Sequence, residues 1–411
     1  MEENGILDLY HLQYADLMAL LSHQTPTSND EIQRLDSISI SIMQSLGRNG
    51  PGLLSITGVP AAQTSQTLLP LARKLALLSI DDRKRILKDH NLGSDVSLKN
   101  LNRTVSSFAM QMKYEDEFKF GFGDSAMDKE VESGEFKDLG FAFRGLGLCM
   151  MELGLSLARV CDKQIGGCEL EQSLLQSGTA KGRLIHYHSV ADNAAINEAE
   201  NRKRRSRVDL GENRKSDYGD DGNSKLWQQW HYDYGIFTIL TAPMFMSSNG
   251  SDEQECDSPS GHTHLQVFHP ELNRVVMVKA PRGSFIVQVG ESADVLSRGR
   301  LRATLHSVSR PPAEMEKLSR ETFVMFLQPA WSKTFSLANY PDEQSRLGGQ
   351  GLELCGEESC SARREASGLA RKIEGIVPPL SSRLRDGMTF VEFAKETTKQ
   401  YYGGKGLQAN R

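Results

Sequence analysis

Hydrophobic residues recur at helical spacing through most of the first 165 residues. Leucine, isoleucine and methionine follow this spacing in 1–26, 30–46 and 64–90, and a longer apolar stretch covers 138–162. Apolar residues three and four positions apart mark one face of a helix. Residues 52–60 depart from this pattern and predict a short strand closed by a turn. The sequence therefore predicts a mainly helical N-terminal region, residues 1–165, that packs on the rest of the protein.

The pattern changes after Gly178, where short runs of β-branched and aromatic residues alternate with polar loops. The predicted strands are 183–188, 226–245, 264–268, 273–279, 284–290, 303–309 and 321–328. Many short strands separated by turn residues are typical of a sandwich or a barrel. We therefore predict a mainly β core at residues 166–335 with helical additions, which makes the chain α+β.

Polar stretches interrupt and follow this core. Residues 191–225 and 246–263 are rich in charged residues, serine, asparagine and glycine. Such segments bury too little apolar surface to order themselves, so 191–225 is predicted to be a mobile insertion. Residues 336–411 are predicted to form a linker and a C-terminal helix, which a capping box at 389–392 opens.

Composition narrows the classes of protein that fit. The net charge is −5, so no strong global field attracts nucleic acid or acidic lipid. No stretch reaches the roughly 18 uninterrupted apolar residues of a membrane helix, and the acidic N-terminus does not resemble a secretory signal. Six cysteines without a C-x-x-C pair indicate reduced thiols. We expect a cytoplasmic monomer, with the nucleus as a second location because the basic run 202–207 resembles an import patch.

Two histidines and one aspartate form a candidate metal site. His231 and Asp233 are two residues apart in a predicted strand, so both side chains point to the same face. His306 lies in another predicted strand and can supply a third ligand. Two imidazoles and one carboxylate on one face of an octahedral ion suit Fe(II) and leave the opposite positions open.

Arg320 and Thr322 form a candidate anion site, because they are also two residues apart at the start of a predicted strand. A guanidinium can bind a carboxylate through two parallel hydrogen bonds, and a hydroxyl can donate another. Arg310, four residues after His306, is an alternative anchor, and an ordinary surface arginine is the simpler explanation for Arg320.

Several segments together resemble the 2-oxoglutarate- and Fe(II)-dependent dioxygenase superfamily, in its plant-type, isopenicillin N synthase-like branch. The matching segments are WHYDYG at 230–235, LQV at 265–267, GSFIVQVGE at 283–291, LSRGR at 296–300 and RET at 320–322. The resemblance covers residues 180–332 and extends more weakly to 52–60 and 138–165. It departs from the family at Ile185, where an asparagine is usual, and at 188–190, where Pro-x-Cys is usual.

This resemblance implies a double-stranded β-helix, or jelly roll, with iron held by His231, Asp233 and His306. It also implies that 2-oxoglutarate (2OG) binds Arg320 and Thr322 with help from Tyr187. The reaction it implies uses O₂, benefits from ascorbate, and oxidises a C–H bond of a small organic substrate with release of succinate and CO₂. Hydroxylation, desaturation and demethylation fit equally.

Phe237, Phe245 and the C-terminal helix are further candidates, as the lining of a substrate pocket. Plain core packing is the simpler interpretation of these aromatic residues.

Two other interpretations remain open. The pair His262 and His264 could serve a cupin that lacks 2-oxoacid chemistry, although no glutamate follows within four residues. The second alternative is a non-catalytic binding or regulatory protein on the same barrel, which would bind its ligand without turnover. Neither a membrane nor nucleic acid is an expected partner.

Overall fold

Two β-sheets flanked by helices make up the protein. The structure is a computed structural model that describes residues 5–22, 28–94, 96, 104–114, 134–207, 225–249, 252–338, 340–341, 373 and 375–402. The strands are β1 Ile6–Asp8, β2 His11–Gln13, β3 Leu53–Thr57, β4 Gly93–Ser94, β5 Val105–Lys113, β6 Thr179–Tyr187, β7 Leu226–His231, β8 Phe237–Thr241, β9 Met244–Asn249, β10 Asp252–Cys256, β11 Leu265–His269, β12 Arg274–Lys279, β13 Phe285–Val289, β14 His306–Ser309 and β15 Leu318–Leu327. The α-helices are α1 Tyr14–Leu21, α2 Asn29–Leu46, α3 Thr64–Leu77, α4 Ile80–Asp89, α5 Leu139–Ile165, α6 Glu169–Ser177, α7 Val190–Arg207, α8 Glu291–Leu296, α9 Leu380–Arg383 and α10 Phe390–Tyr402.

The smaller sheet has the strand order β1-β12-β11-β14-β7. The larger sheet has the order β2-β3-β13-β8-β15-β6-β5-β4, and the hairpin β9–β10 joins it through β15. Most neighbours are antiparallel, whereas β1 runs parallel to β12 and β2 parallel to β3. The N-terminal region therefore contributes strands to both sheets as well as helices.

The larger sheet is covered on both faces. On β8 and β15, Leu240 and Val324 belong to an apolar cluster that also contains Val267 of the smaller sheet. Their neighbours Ile239 and Met325 belong to a second cluster, shared with the helices. Successive residues of a strand point to opposite faces, so one face of the larger sheet meets the smaller sheet and the other meets the helices.

Helix α5 is the central element of the helical layer. Its Gly154 packs against the sheet so closely that an added Cβ would lie 2.4 Å from Leu327 Cδ1. Among the described residues, α5 is the one helix long and apolar enough to cross a membrane by length and composition. However, 67% of its most apolar window is buried against the rest of the protein, which is typical of a core helix.

Two segments predicted to be unstructured contain regular structure. Residues 190–207 of the predicted insertion form α7, and residues 208–224 lie outside the described range. A reciprocal cap opens this helix: the Asp192 N–H donates to Ser189 Oγ, and the Ser189 N–H donates to Asp192 Oδ2. Likewise, the predicted polar stretch 246–263 contains paired strands, since β9 and β10 are antiparallel neighbours.

A buried ion pair attaches the C-terminal segment to the core. Arg383 donates two hydrogen bonds to the Glu291 carboxylate at 2.6 and 2.7 Å, and both side chains are at most 2% exposed. Tyr401 Oη on α10 accepts a hydrogen bond from the backbone N–H of Tyr232 at 3.2 Å. Half of the predicted capping box is present, since the Thr389 N–H donates to Glu392 Oε2, while the Thr389 hydroxyl donates to the same carboxylate oxygen.

Replacing Arg383 with methionine should destabilise the protein by about 3–5 kcal/mol, because the Glu291 carboxylate would remain buried without its partner. Chemical denaturation measures the change in the free energy of unfolding. The exposed Arg385→Met is the matched control, for which we expect a change within about 0.5 kcal/mol. Equal effects of the two substitutions would contradict a structural role for the pair.

Candidate metal centre and anion site

The ends of two neighbouring strands bring the candidate metal ligands together. His231 is the last residue of β7 and His306 the first of β14, and the two residues are direct partners across the sheet. Asp233 follows β7 after one residue. One donor atom from each of the three side chains lies within 4.8 Å of the other two, and the imidazole rings are 4.2 Å apart.

Both histidines present the same ring nitrogen to the carboxylate. The Nδ1 atoms of His231 and His306 lie 2.7 and 3.0 Å from the backbone oxygens of Gln229 and Thr304. A carbonyl oxygen only accepts, so each Nδ1 carries the proton and each Nε2 carries a lone pair. Each Nε2 is 3.8 Å from an oxygen of Asp233. This arrangement of donors is the one that a divalent metal requires.

The electrostatics of the site favour a neutral His231. Burial, together with the neighbouring His306, lowers the pKa of His231 to about 4. At neutral pH this imidazole is therefore uncharged and available as a ligand. Thr238 Oγ1 donates a 2.7 Å hydrogen bond to Asp233 Oδ2, which fixes one side of the carboxylate. His231 therefore binds a metal without a change of protonation, and the metal would replace the hydrogen bond that its Nε2 accepts from Gln228 at 3.0 Å.

Arg320 lies buried between the sheets, only 1% exposed. Its Nε donates to the backbone oxygen of Thr263 at 2.9 Å, and its guanidinium lies 5.0 Å from the ring centre of Tyr187. Arg320 and Tyr187 are direct partners across β15 and β6. Among the described residues, no carboxylate forms an ion pair with Arg320. A buried guanidinium without a carboxylate partner among the described residues makes this a candidate anion site.

Gln228 connects the anion site to the metal ligands, and sequence reasoning missed it. Tyr187 Oη donates to Gln228 Oε1 at 2.8 Å, and Gln228 Nε2 donates to His231 Nε2 at 3.0 Å. Strand alternation would place positions 228 and 231 on opposite faces. A bulge between the pairs His306–His231 and Val308–Gln228 shifts the register and aligns the two side chains.

The remaining candidates fall on different sides of the larger sheet. Phe245 is the partner of Arg320 across β9 and β15, and therefore lies beside the anion site. Thr322 Oγ1 is directed to Thr241, with its carbonyl oxygen at 3.2 Å. Phe237 belongs to the helix-facing core cluster, so the structure does not bring it to the site.

His264, which the sequence suggested only as half of a cupin-type pair, is a second residue near this site. It is only 1% exposed, with its ring 5.5 Å from that of Phe245 and 6.0 Å from that of Trp227. Its Nε2 has no hydrogen-bond partner among the described residues. Burial, then the neighbouring His262 and Arg320, lowers the pKa of His264 to about 3.

This depressed pKa predicts a loss of stability in acid. Below its ordinary pKa of 6.5, the unfolded chain protonates His264 while the folded state does not, down to about pH 3. Stability is thus retained above pH 6.5 and falls toward pH 3 by about 1.4 kcal/mol per pH unit from this residue. His264→Asn, which suits the positive φ of 59°, should remove that share of the slope. An unchanged slope in denaturation series from about pH 7 to 4 would contradict the assignment.

No protein-family model and no curated protein matches this sequence. The fold is similar to that of JOX2, solved in complex with 2OG, Fe and JA, with 13% identity and a TM-score of 0.50 over 83% of this chain and 79% of that chain. It is also similar to that of a full-length Neurospora crassa protein solved in complex with alpha-KG, with 14% identity and a TM-score of 0.50 over 90% of this chain and 98% of that chain. At these identities the likeness concerns the fold.

Proposed function

We propose that this chain, whose fold resembles that of proteins solved with 2OG bound, is a 2OG- and Fe(II)-dependent dioxygenase. The proposed reaction oxidises a C–H bond of a small organic substrate, by hydroxylation, desaturation or demethylation, and releases succinate and CO₂. The double-stranded β-helix is part of this proposal, with the two facing sheets as its halves.

One observation carries the proposal: a continuous set of contacts from a metal-type donor set to a buried arginine. Arg320 lies over Tyr187, Tyr187 donates to Gln228, and Gln228 donates to His231. A 2-oxoacid with a second carboxylate needs a metal at one end and a cation at the other. The candidate metal ligands and the Arg320 guanidinium would meet these two needs within the same space between the sheets.

Each residue has a distinct role in this proposal. His231, His306 and Asp233 would hold the iron, and Arg320 would bind the distal carboxylate of 2OG through its guanidinium fork. Bound iron supplies the activation of O₂ coupled to oxidation of 2OG to succinate and CO₂. The burial of Arg320 and Tyr187 excludes water and so strengthens the electrostatic contacts that orient the 2-oxoacid.

Thr322 needs a change of partner to take the role that the family resemblance implies. Its hydroxyl would have to turn from the Thr241 carbonyl to donate to 2OG. Phe245, beside Arg320, would shield the distal carboxylate rather than line the entrance for substrate.

The substrate is proposed to be a small molecule. JOX2, whose fold is similar, was solved in complex with 2OG, Fe and JA. The residues that line a substrate pocket differ among proteins of one fold, so fold similarity does not transfer the substrate.

The test is anaerobic loading of the full chain with Fe(II), followed by 2OG. We expect a metal-to-ligand charge-transfer band when 2OG binds, and succinate on admission of air, measured by NMR with ascorbate present. Metabolite screening with His231→Ala as the blank would then identify the substrate. Iron-loaded protein that neither binds 2OG nor forms succinate in that screen would favour the non-catalytic alternative.

A further inference from the structure

A second group of metal-type side chains lies behind the candidate centre, on the opposite face of β6. Ile185 and Tyr187 belong to the cluster between the sheets, whereas His186 points to the helical layer. His188 follows the end of β6, and Asp192 lies in the first turn of α7. His186 and Asp192 are fully buried and His188 is 3% exposed.

The distances in this group suit a small tetrahedral cation. One donor atom each from His186, His188 and Asp192 lies within 4.8 Å of the others. His186 Nε2 is 3.4 Å from Asp192 Oδ2, and it has no hydrogen-bond partner among the described residues despite complete burial. Two ligands of a tetrahedral zinc ion, each about 2.0–2.1 Å from the metal, lie about 3.3–3.4 Å apart.

Hydrogen bonds with neighbouring side chains hold both imidazoles in orientations that suit a metal. His186 Nδ1 is 2.8 Å from Glu321 Oε1, so this nitrogen donates to the carboxylate and Nε2 is left facing Asp192. A carboxylate behind a histidine in this way is the usual support of a zinc ligand. Ser106 Oγ is 2.8 Å from His188 Nε2, so Nδ1 is the nitrogen that would bind a cation.

The charges of the group also call for a cation. Arg73 donates to Asp192 Oδ1 through Nε at 3.0 Å and Nη2 at 2.7 Å, and the Ser189 N–H donates to Oδ2. Glu321 adds a second buried carboxylate, with its Oε2 lacking a hydrogen-bond partner among the described residues. With neutral histidines, the two carboxylates exceed the single guanidinium by one negative charge, which is costly to bury.

We propose that His186, His188 and Asp192 bind a structural Zn²⁺ ion, with Glu321 orienting His186. Two imidazole nitrogens and one carboxylate oxygen are common zinc ligands, and three of them leave the fourth tetrahedral position to a water molecule. The ion joins β6 to the start of α7, and its binding energy adds to the free energy of folding. This site is independent of the proposed oxygenase centre.

The competing occupant is a proton. Burial alone would lower the pKa of His186, but the neighbouring carboxylates of Asp192 and Glu321 outweigh it and raise that pKa, and burial also raises the pKa of Glu321. A protonated His186 would balance the charge without any metal. A measurement of bound metal distinguishes the two occupants.

The experiment uses the full-length double variant His231→Ala/His306→Ala, which lacks the other centre. After growth with zinc and exhaustive dialysis, elemental analysis should find about one equivalent of zinc. Adding His188→Gln should reduce this to below about a tenth of an equivalent, whereas adding His262→Gln, outside the group, should leave it unchanged. Zinc-free double variant, or zinc retained after His188→Gln, would overturn the proposal in favour of the proton.

Cobalt substitution keeps the test decisive if the His188 variant does not fold. Co²⁺ added to the metal-free double variant should give the intense visible bands of a four-coordinate ion. The weak spectrum of hydrated cobalt would overturn the proposal. The zinc analysis and the cobalt spectrum do not depend on turnover. If zinc is bound but no succinate forms, the result rejects the proposed dioxygenase activity and leaves the zinc site standing.

Discussion

Asp233→Ala will reduce 2OG-dependent succinate formation by more than about 100-fold. Losing a residue that only supports a metal ligand typically costs roughly 10–100-fold, and losing the ligand itself should cost more. The substitution removes the one carboxylate among the three candidate ligands, to which both His231 Nε2 and His306 Nε2 are directed at 3.8 Å. Two neutral imidazoles alone leave the charge of Fe(II) without a protein anion. Succinate measured by NMR and iron retained after gel filtration report the two effects separately.

The control is Asp257→Ala, which removes a carboxylate whose side chain is 95% exposed. We expect wild-type turnover and wild-type iron content from this variant. The Asp233 side chain accepts a hydrogen bond from the Thr238 side chain, so Asp233→Ala removes a contact between side chains and leaves the backbone bonds in place. We therefore expect the circular dichroism spectrum of Asp233→Ala to match that of wild type. Turnover in Asp233→Ala within about twofold of wild type would reject this carboxylate as a ligand.

Arg320→Met will raise the KM for 2OG by about 10–100-fold, because a hydrogen-bonded charge contributes about 1.5–3 kcal/mol and each 1.4 kcal/mol is a factor of ten. At saturating 2OG, we expect kcat to change less than KM. Arg320→Lys keeps the charge but loses the planar fork, so its KM should be intermediate. Titration of 2OG into iron-loaded protein under anaerobic conditions measures the affinity directly.

Arg310→Met is the matched control, since Arg310 is the alternative anchor that sequence alone allows. An equal or larger effect of Arg310→Met on 2OG affinity would transfer the anchor to that residue. Thermal unfolding gives a second measurement: 2OG should raise the Tm of wild type and of Arg310→Met, and leave Arg320→Met unchanged. The anchor assignment requires both results.

The positions of single helices and strands could be predicted from local sequence patterns. Helical spacing predicted 138–162, and α5 spans Leu139–Ile165. Predicted strands 273–279 and 284–290 correspond to β12 and β13 within one residue at each end. The two-residue period of a strand also predicted that Arg320 and Thr322 lie on the same face. This holds because β15 pairs with β6 without a break in register.

What the sequence did not reveal depends on contacts between distant segments. The face on which Gln228 lies is set by a bulge opposite β14, and nothing local to β7 indicates it. His264 directly follows a polar stretch of sequence, and only the folded chain shows that Arg320, Trp227 and Phe245 enclose it. The Ser189–Asp192 cap that opens α7 was not predicted, because the charged residues that follow it favoured a mobile segment.

The alternation of β6 has a consequence for how its sequence can evolve. Tyr187 faces the space between the sheets and His186 faces the helical side. Each is paired with a residue of β15, Tyr187 with Arg320 and His186 with Glu321. Inserting or deleting one residue upstream in β6 would turn the histidine toward the guanidinium and the phenol toward the buried acid. Both pairs would be lost in one step. Selection should therefore tolerate substitutions in this strand far better than changes in its length.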